Sequence, residues 1–586
     1  MDIKALEKFA QAARRQLQEQ VAAKLDRVLK TDSAELRGKA ETLRELREQI
    51  RRTSRKAVVE RAAYTWFNRF CALRFMDVNR YTAVGVVSPA AGFTQPEILQ
   101  EAKQGVIEDD LARFVDRGAV ADLLGGRQRA SDPQGEAYRL LLVGICNQYH
   151  ETMPSMFEPI ADYTELLLPD DLLSASSILQ GVRDALTAEA CQDVEVIGWL
   201  YQFYISEKKD EVFAALKNNR KIAAEDIPAA TQLFTPHWIV RYLLENSLGR
   251  LWLLNRPGSR LAARMPYYIA PLEPETDFLR LTSPEEIRLC DPAAGSGHML
   301  TYAFDLLYAI YEEEGYNPPD IPRPILEKNL YGIEIDERAG ALAAFALTMK
   351  ARANDRRFLK RGMRPNICVL QPVTVTEQEL AEAPWFRALG RNLFDLPVRD
   401  ALRHDLALFP QVDNIGSLLR PQLTPEQIET LRGRIGAADD LLSHELNTRV
   451  QDALAQLAYL ARKYHVVVAN PPYMGGGMND ELSTFAKDYY PDTKADLFAM
   501  FIERNLDLAA AHGQVAMITM QSWMFLSSFE KLRNRILNQE TILSMAHLGA
   551  RAFDTIGGAV VSTTAFVIEN AGRAEFKGSY LRLVTG

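Results

Sequence analysis

The sequence of 586 residues contains only five cysteines, and none of them forms a C-x-x-C pair. An odd number of scattered cysteines does not make a disulfide framework, and the spacing of a structural zinc site is missing. We therefore expect reduced thiols in a cytoplasmic protein that requires no metal.

Long hydrophobic runs are also missing. The best candidate, Ala339–Met349, is shorter than the roughly 20 apolar residues that a membrane-spanning helix needs. The first residues, Met1–Lys4, begin a charged helical pattern that differs from a signal peptide. The sequence therefore predicts no membrane partner.

A positive excess, which is common in nucleic-acid-binding proteins, is absent: 68 Lys and Arg face 77 Asp and Glu, for a net charge of −9. Basic residues are concentrated near the start, where Arg51, Arg52, Arg55 and Lys56 follow an amphipathic helical pattern. They form either a phosphate-contacting surface or an ordinary solvated helix face, and we favour the second. DNA binding must therefore depend on local patches.

The pattern of apolar residues changes near residue 226. Before it, helical spacing dominates, and the aromatic residues Trp66, Phe67, Phe70 and Phe75 fit a helix core better than a base-stacking surface. Beyond it, helical stretches alternate with six strand-like runs: Glu286–Leu289, Asn329–Ile335, Asn366–Leu370, His465–Ala469, Gln514–Thr519 and Val560–Ile568. This alternation is typical of a Rossmann-like, doubly wound α/β domain. We predict a mostly α-helical N-terminal domain over 1–225 and an α/β domain over 226–586, with a helical insertion at about 376–460.

A glycine-rich turn, Asp291–His298, leads from the first predicted strand into a helical pattern. Glycines at such a turn let backbone amides approach a ligand, and the Asp291 carboxylate can hold an ammonium or hydroxyl group. The G-x-G pattern alone is weak evidence, because an ordinary tight turn explains it equally well and Leu300 replaces the third glycine of the dinucleotide fingerprint. His298 is either a catalytic base or a structural histidine, and we favour the second.

An acidic residue ends the next predicted strand, in the segment Tyr331–Asp336. A carboxylate at this position can accept hydrogen bonds from both hydroxyls of a ribose. Glu334 and Asp336 compete for the role, but Asp336 can instead cap the following helix. We favour Glu334 for the ribose.

The most specific motif is Asn470-Pro471-Pro472-Tyr473, which follows an apolar strand. Two consecutive prolines remove two amide donors, so carbonyl groups in the turn stay free to accept from a ligand. The Asn side chain adds an acceptor and the Tyr ring a stacking face, which suits a planar ring with an amino group. Gly475–Gly477 follow, and we expect them to form a mobile loop where a base enters.

Together these motifs resemble the amino-methylating DNA methyltransferases that use S-adenosylmethionine. The segment Thr231–Pro236, which ends in Thr-Pro upstream of the glycine turn, strengthens the resemblance. Over essentially its full length, including Tyr64–Phe70 and Asn414–Leu418, the chain is similar to the adenine-specific methyltransferases of BREX phage-exclusion systems. These relatives continue beyond residue 586 into a target-recognition region, so we expect either a truncated chain or recognition supplied elsewhere.

The resemblance implies a site-specific DNA adenine N6-methyltransferase that acts on an adenine flipped out of double-stranded DNA, together with other defence-system subunits. The implied cofactor-binding residues are Thr235, Pro236, Asp291, Pro292, Ala293, Gly295, Gly297, Glu334 and Ile335. The implied catalytic residues, which grip and stack the adenine, are Asn470, Pro471, Pro472 and Tyr473. Gln371 is the candidate that reads the adenine edge of the cofactor, and Phe566 is the candidate second base-stacking aromatic.

Two alternatives stay open. The chain could be a DNA- and partner-binding subunit of a defence complex with little activity alone, because intact motifs indicate capability rather than activity. It could also be an RNA or protein amino-methyltransferase, since these enzymes also use Asn-Pro-Pro-Tyr. The missing third glycine disfavours a nicotinamide-dependent dehydrogenase.

Overall fold

The computed structural model describes residues 2–31, 34–158, 163–217, 220–389, 395–436, 444–550, 552–553 and 562–584. The chain divides into two compact units: Met1–Glu207 with Ala344–Arg364, and Lys208–Ala343 with Pro365–Gly586. Within the described ranges, no helix has both the length and the apolar character needed to span a bilayer.

The helices that precede the first strand are α1 Ile3–Lys30, α2 Ala34–Gly38, α3 Ala40–Arg52, α4 Arg55–Val78, α5 Glu97–Lys103, α6 Arg117–Leu124, α7 Pro133–His150, α8 Tyr163–Leu166, α9 Ile178–Ala185, α10 Glu195–Lys217, α11 Ile227–Thr231, α12 His237–Leu244 and α13 Arg250–Asn255. The later helices are α14 His298–Glu313, α15 Pro322–Pro324, α16 Glu337–Asn354, α17 Glu377–Glu382, α18 Pro384–Leu389, α19 Leu396–Leu408, α20 Val412–Ile415, α21 Pro425–Gly436, α22 His444–Ala461, α23 Asp480–Tyr489, α24 Leu497–Leu508 and α25 Glu530–Gln539. The strands are β1 Leu289–Asp291, β2 Leu330–Glu334, β3 Asn366–Val369, β4 Tyr464–Ala469, β5 Ala509–Met520, β6 Thr541–Gly549, β7 Thr563–Glu569 and β8 Ser579–Arg582.

Helices α1 and α4 pack together in the first unit. Helix α1 buries a stripe at helical spacing that consists of Leu6, Ala10, Ala13, Leu17, Val21, Leu25 and Val28. On α4, Trp66, Phe67, Phe70 and Phe75 are at most 4% exposed, which confirms that they are core residues. The basic residues Arg51–Lys56 are exposed.

The eight strands form a single sheet in the order β3-β2-β1-β4-β5-β7-β6-β8. Neighbouring strands from β3 to β5 are parallel, whereas β7 is antiparallel to both β5 and β6. The chain runs outward from β1 to β3 and then returns to β4 on the other side of β1. This is the doubly wound α/β arrangement that the sequence predicts, and its switch point lies between the carboxyl ends of β1 and β4.

The observed strands differ from the predicted ones chiefly at β1, at β5, which begins earlier at Ala509, and at β6 and β8. β1 begins at Leu289, where the predicted strand ended. β6 and β8 were not predicted, because Ser544 and His547 interrupt the apolar run of β6 and β8 is a short edge strand whose side chains are mostly exposed. Residues 560–561 of the predicted strand Val560–Ile568 lie outside the described ranges.

Candidate active site

The glycine turn begins where β1 ends. Asp291 is the last residue of β1, is 2% exposed, and accepts a hydrogen bond at Oδ1 from the Ala293 amide at 3.1 Å. Burial, with a smaller effect from nearby Glu334, raises the pKa of the Asp291 carboxyl to about 8. An ammonium or hydroxyl group of a ligand would therefore stabilise the charged carboxylate.

The two glycines of this turn have different environments, although both have left-handed backbone conformations with φ of +53° at Gly295 and +84° at Gly297. A Cβ atom at Gly297 would lie 3.0 Å from Cα and Cβ of Ala343 in α16. A Cβ atom at Gly295 would meet none of the described atoms within 4 Å. Packing against α16 therefore requires glycine at 297, whereas the space beside Gly295 is open to a ligand.

Glu334 ends β2 and turns back toward the glycine turn. Its Oε2 accepts from the Gly295 amide at 2.7 Å, and its Oε1 accepts from the amides of Ile335 at 2.9 Å and Asp336 at 3.0 Å. Burial nevertheless raises the pKa of the Glu334 carboxyl to about 7. Asp336 accepts from the Arg338 amide at 3.0 Å and so caps α16, and it also lines the cavity described below. Only Glu334 accepts a hydrogen bond from the glycine turn among the described contacts of these two carboxyls.

Asn470 follows β4, whose residues Val466–Ala469 are 0% exposed. The Asn470 Nδ2 donates to the Leu233 carbonyl oxygen at 3.1 Å and to Thr235 Oγ1 at 3.0 Å. Its Oδ1 accepts from the Tyr473 hydroxyl at 3.0 Å. Both amide hydrogens therefore have acceptors, and Oδ1 keeps a lone pair for one further donor.

The rest of the Asn-Pro-Pro-Tyr turn is fixed from two sides. The Tyr473 hydroxyl lies 3.2 Å from the Ile518 carbonyl oxygen of β5, and burial raises the pKa of Tyr473. Asp496, the N-cap of α24, accepts from the Met474 amide at 2.9 Å. Burial raises the pKa of the Asp496 carboxyl to about 6. The turn is thus tied to both β5 and α24.

The glycine loop that follows the turn is anchored. The Ile222 amide donates to the Gly477 carbonyl oxygen at 3.1 Å, and Lys221 Nζ donates to the Gly476 carbonyl oxygen at 2.6 Å. A Cβ atom at Gly477 would lie 3.1 Å from Ile222 Cδ1. These contacts attach the loop to the segment at Lys221 and Ile222, and its mobility stays a prediction.

A cavity of about 810 Å³, partly open to solvent, lies at the switch point of the sheet. Seven predicted residues line it: Pro292, Ala293, Gly295, Glu334, Ile335, Asn470 and Pro472. The other predicted residues, all of them in the described ranges, do not line it: Thr235, Pro236, Asp291, Gly297, Pro471 and Tyr473. Of these, Thr235 and Tyr473 hydrogen-bond to Asn470, and Gly297 contacts α16.

Sequence reasoning missed part of the cavity wall. The additional lining residues include Ile227, Pro228, Leu370, Asn414, Ile415, Gly416, Ser417, Leu418, Leu497 and Phe501. Asn414–Leu418 belongs to the helical insertion, and the Ser417 hydroxyl donates to the Pro292 carbonyl oxygen at 2.6 Å. This segment was part of the resemblance to the methyltransferase family, which was the signal that could have indicated a role, but no role was predicted for it.

Of two secondary predictions, the one for Gln371 stays untested and the one for Phe566 is wrong. The Gln371 amide donates to Gln456 Oε1 at 2.8 Å, and Gln371 does not line the described cavity, whose wall at this end of β3 is Leu370. Phe566 is 0% exposed in β7, with its ring centroid 5.3 Å from that of Trp523. A ring buried in the sheet core cannot stack on an incoming base.

This sheet order and the cavity at its switch point define a Rossmann-like methyltransferase domain. In agreement, residues 328–553 match the family described as Eco57I restriction-modification methylase. The chain is 43% identical to the adenine-specific methyltransferase BrxX of Escherichia coli O9:H4 (strain HS), covering 90% of this chain and 45% of that protein. It is 35% identical to the adenine-specific methyltransferase PglX of Lacticaseibacillus casei (strain Zhang), covering 100% of this chain and 52% of that protein.

The chain is therefore a homologue of the PglX and BrxX adenine-specific methyltransferases, which confirms the resemblance. It spans about half the length of these curated relatives. Among solved structures, the type IIL restriction-modification enzyme MmeI in complex with DNA is similar at a TM-score of 0.44 and 11% identity, covering 100% of this chain and 60% of that chain.

Proposed function

We propose that the second unit transfers a methyl group from S-adenosylmethionine to the N6 amine of adenine in DNA, in the cytoplasm and together with other subunits of a phage-defence system. The orientation of the Asn470 amide carries this proposal. Leu233 and Thr235 take both of its hydrogens, so an acceptor oxygen remains beside the cavity. An acceptor in this place suits a substrate that presents an amino group.

The chemistry of the cavity wall suits S-adenosylmethionine, because apolar side chains lie beside the carboxyl of Glu334 and the open backbone at Gly295. Glu334 would accept from the ribose hydroxyls, Asp291 would interact with the ammonium group, and Ile335 would pack on the adenine ring. The full set of proposed cofactor-binding residues is Thr235, Pro236, Asp291, Pro292, Ala293, Gly295, Gly297, Glu334 and Ile335. When bound, the cofactor supplies a methyl group on a positively charged sulfur.

The protein's part in the reaction is to present the amine. The lone pair of the adenine N6 is delocalised into the ring, so the amine is a poor nucleophile. Asn470 Oδ1 and the Pro471 carbonyl would accept its two hydrogens and favour a tetrahedral nitrogen with a localised lone pair. Pro472 and Tyr473 would hold the ring, and alignment supplies much of the acceleration. The adenine must first leave the duplex, which costs a few kcal/mol.

Methyl-transfer assays test this proposal. The purified chain is incubated with radiolabelled S-adenosylmethionine and, in parallel, with duplex DNA, RNA or total protein. Label on the adenine N6 of DNA supports the proposal, whereas label on RNA or protein only would establish the amino-methyltransferase alternative. If DNA is bound but labelled only after partner subunits are added, the chain is a binding subunit that needs those partners.

A further inference from the structure

Asn414 and Asn479 form a reciprocal pair of side-chain hydrogen bonds. Nδ2 of Asn414 donates to Oδ1 of Asn479 at 3.2 Å, and Nδ2 of Asn479 donates to Oδ1 of Asn414 at 2.9 Å. Asn414 is 5% exposed and lines the cavity. Asn479 follows the glycine loop and caps α23, where its Oδ1 also accepts from the Leu482 amide at 2.9 Å. The pair therefore connects the cavity wall to the loop Met474–Asn479.

A second segment, which leads into another part of the cavity wall, is hydrogen-bonded to the same loop. Nδ2 of Asn479 also donates to the Ile222 carbonyl oxygen at 3.2 Å, and the Ile222 amide donates to the Gly477 carbonyl oxygen at 3.1 Å. Ile227 and Pro228, which follow closely in the chain, line the cavity. Asn414 in the cavity wall and Ile222, five residues before the wall residue Ile227, are thus hydrogen-bonded to one loop.

The wall that carries Asn414 is also attached to the proposed cofactor site. The Ser417 hydroxyl donates to the Pro292 carbonyl oxygen at 2.6 Å, in the glycine turn after β1. Gly416 has a φ of +64°, and a Cβ atom there would lie 3.1 Å from Ile335 Cγ2. A ligand that contacts the turn and Ile335 would therefore restrict the segment Asn414–Leu418 as well.

We infer that the Asn414–Asn479 pair couples cofactor binding to the arrangement of the loop Met474–Asn479, which follows the residues that grip the target base. The inference rests on the proposed cofactor site. Both asparagines are positioning residues, because they act through the loop and the wall. Such coupling is a free-energy difference between two sites, and it commonly changes one equilibrium by about 5- to 150-fold when the other site is filled.

Hydrogen exchange with S-adenosylhomocysteine as the probe tests the coupling without DNA. In the parent chain, we expect the ligand to slow amide exchange in Met474–Leu482 by roughly fivefold or more. In Asn414→Leu, which removes both hydrogen bonds of the pair, the bound ligand should leave exchange in the loop unchanged. Because Asn414 lines the cavity, the affinity of the variant is measured first, and parent and variant are compared at equal ligand occupancy.

Two variants serve as controls. Asn414→Asp keeps an oxygen that accepts from Asn479 Nδ2, so ligand-dependent slowing should persist. Asn538→Leu makes the same change at an exposed asparagine of α25 and should behave as the parent does. If melting shows that Asn414→Leu is unfolded, Asn479→Asp replaces it, because that variant keeps the oxygen that caps α23 and loses the donor to Asn414 and Ile222.

The outcomes separate the inference from the proposed function. Equal slowing in the parent and in Asn414→Leu would overturn the coupling and leave the cofactor site intact, as would tight binding to the parent without any slowing. If the parent does not bind S-adenosylhomocysteine by calorimetry, the proposed function is contradicted and the coupling fails with it. A purely structural role of the pair predicts a lower melting temperature but unchanged ligand-dependent slowing.

Discussion

The two halves of the candidate site differ in what burial does to their polar groups. After β1 and β2, the carboxyls of Asp291 and Glu334 have pKa values of about 8 and about 7, because burial outweighs the backbone amides that donate to them. After β4, the Asn470 side chain has acceptors for both hydrogens and a donor in Tyr473. A ligand that donates hydrogen bonds would stabilise the charged forms of Asp291 and Glu334, whereas the protein already orients the side chain of Asn470. We therefore expect cofactor binding to depend on the protonation of these two carboxyls, and methyl transfer to depend on the position of the Asn470 side chain.

The largest effect on methyl transfer is expected at Asn470, in the half of the site that follows β4. Asn470→Ala removes the acceptor oxygen proposed for the adenine amine but leaves Asp291 and Glu334 unchanged. Methyl transfer should fall by roughly two decades or more, the scale of losing one well-placed polar group. S-adenosylhomocysteine should still bind with the affinity of the parent in calorimetry.

The parent must first transfer methyl groups under some condition, with partner subunits if they are needed. Full transfer activity in Asn470→Ala would remove this residue from the reaction. Loss of ligand binding in the same variant would instead contradict the division of the candidate site into two independent halves.

The glycine turn gives the next largest effect. Gly297→Ala would place Cβ 3.0 Å from Ala343 at a left-handed backbone position, so we expect a loss of roughly 2–4 kcal/mol of stability in urea unfolding. Gly295→Ala would point Cβ into open space, so its stability cost should be about 1 kcal/mol. Its affinity for S-adenosylhomocysteine should nevertheless fall by roughly thirtyfold, because the methyl group occupies ligand space.

These two variants serve as controls for each other, since each makes the same chemical change two positions apart. The resemblance implies that both glycines bind the cofactor, whereas the open space beside Gly295 predicts that a side chain there blocks the ligand and one at Gly297 does not. A well-folded Gly297→Ala with lost binding, paired with normal binding in Gly295→Ala, would reverse the assignment.

The motifs at strand ends were predictable because their chemistry is local. Asp291, Glu334 and Asn470 each follow a short apolar run, and parallel strands bring such ends to one edge of the sheet. The α/β fold followed from the same alternation. The sequence could not show that Ala343 fills the space at Gly297, because this contact depends on how α16 packs across the sheet.

The insertion was the least predictable part of the site. Its helices have ordinary amphipathic patterns, so nothing local indicates that Asn414–Leu418 returns to the cavity. That return depends on tertiary contacts, such as the hydrogen bond from Ser417 to Pro292. The prediction for Phe566 was wrong for a related reason. The position of a strand in the sequence does not show which face of the sheet an aromatic residue occupies, because a shift of one residue moves the side chain to the opposite face.

The half of the candidate site that contains the two carboxyls predicts a pH dependence of binding. Because ribose hydroxyls favour the ionised Glu334, affinity for S-adenosylhomocysteine should rise as pH increases through the raised pKa of about 7. Between pH 8 and pH 6, the protonation of Glu334 alone should lower the affinity by about tenfold, because its ionised fraction falls by that factor. In Glu334→Gln, which cannot ionise, the affinity should be low and the dependence between pH 6 and pH 8 should be smaller, with only Asp291 contributing. Calorimetry across this range measures both, and an equal pH dependence in parent and variant would exclude Glu334 as its source.

The smallest effect concerns Thr235, which orients the Asn470 amide from behind the cavity wall. Thr235 is 4% exposed, and its Oγ1 is one of the two acceptors of Asn470 Nδ2. Thr235→Val has nearly the same shape but lacks this acceptor, while the Leu233 carbonyl remains. Losing one hydrogen bond costs about 1 kcal/mol, so methyl transfer should fall roughly fivefold at saturating cofactor. Thr235→Ser keeps the hydroxyl and should restore most of the rate. If Thr235 only bound the cofactor, Thr235→Val would raise the KM for the cofactor and leave the rate at saturating cofactor unchanged. That result would assign Thr235 to cofactor binding instead of to the orientation of Asn470.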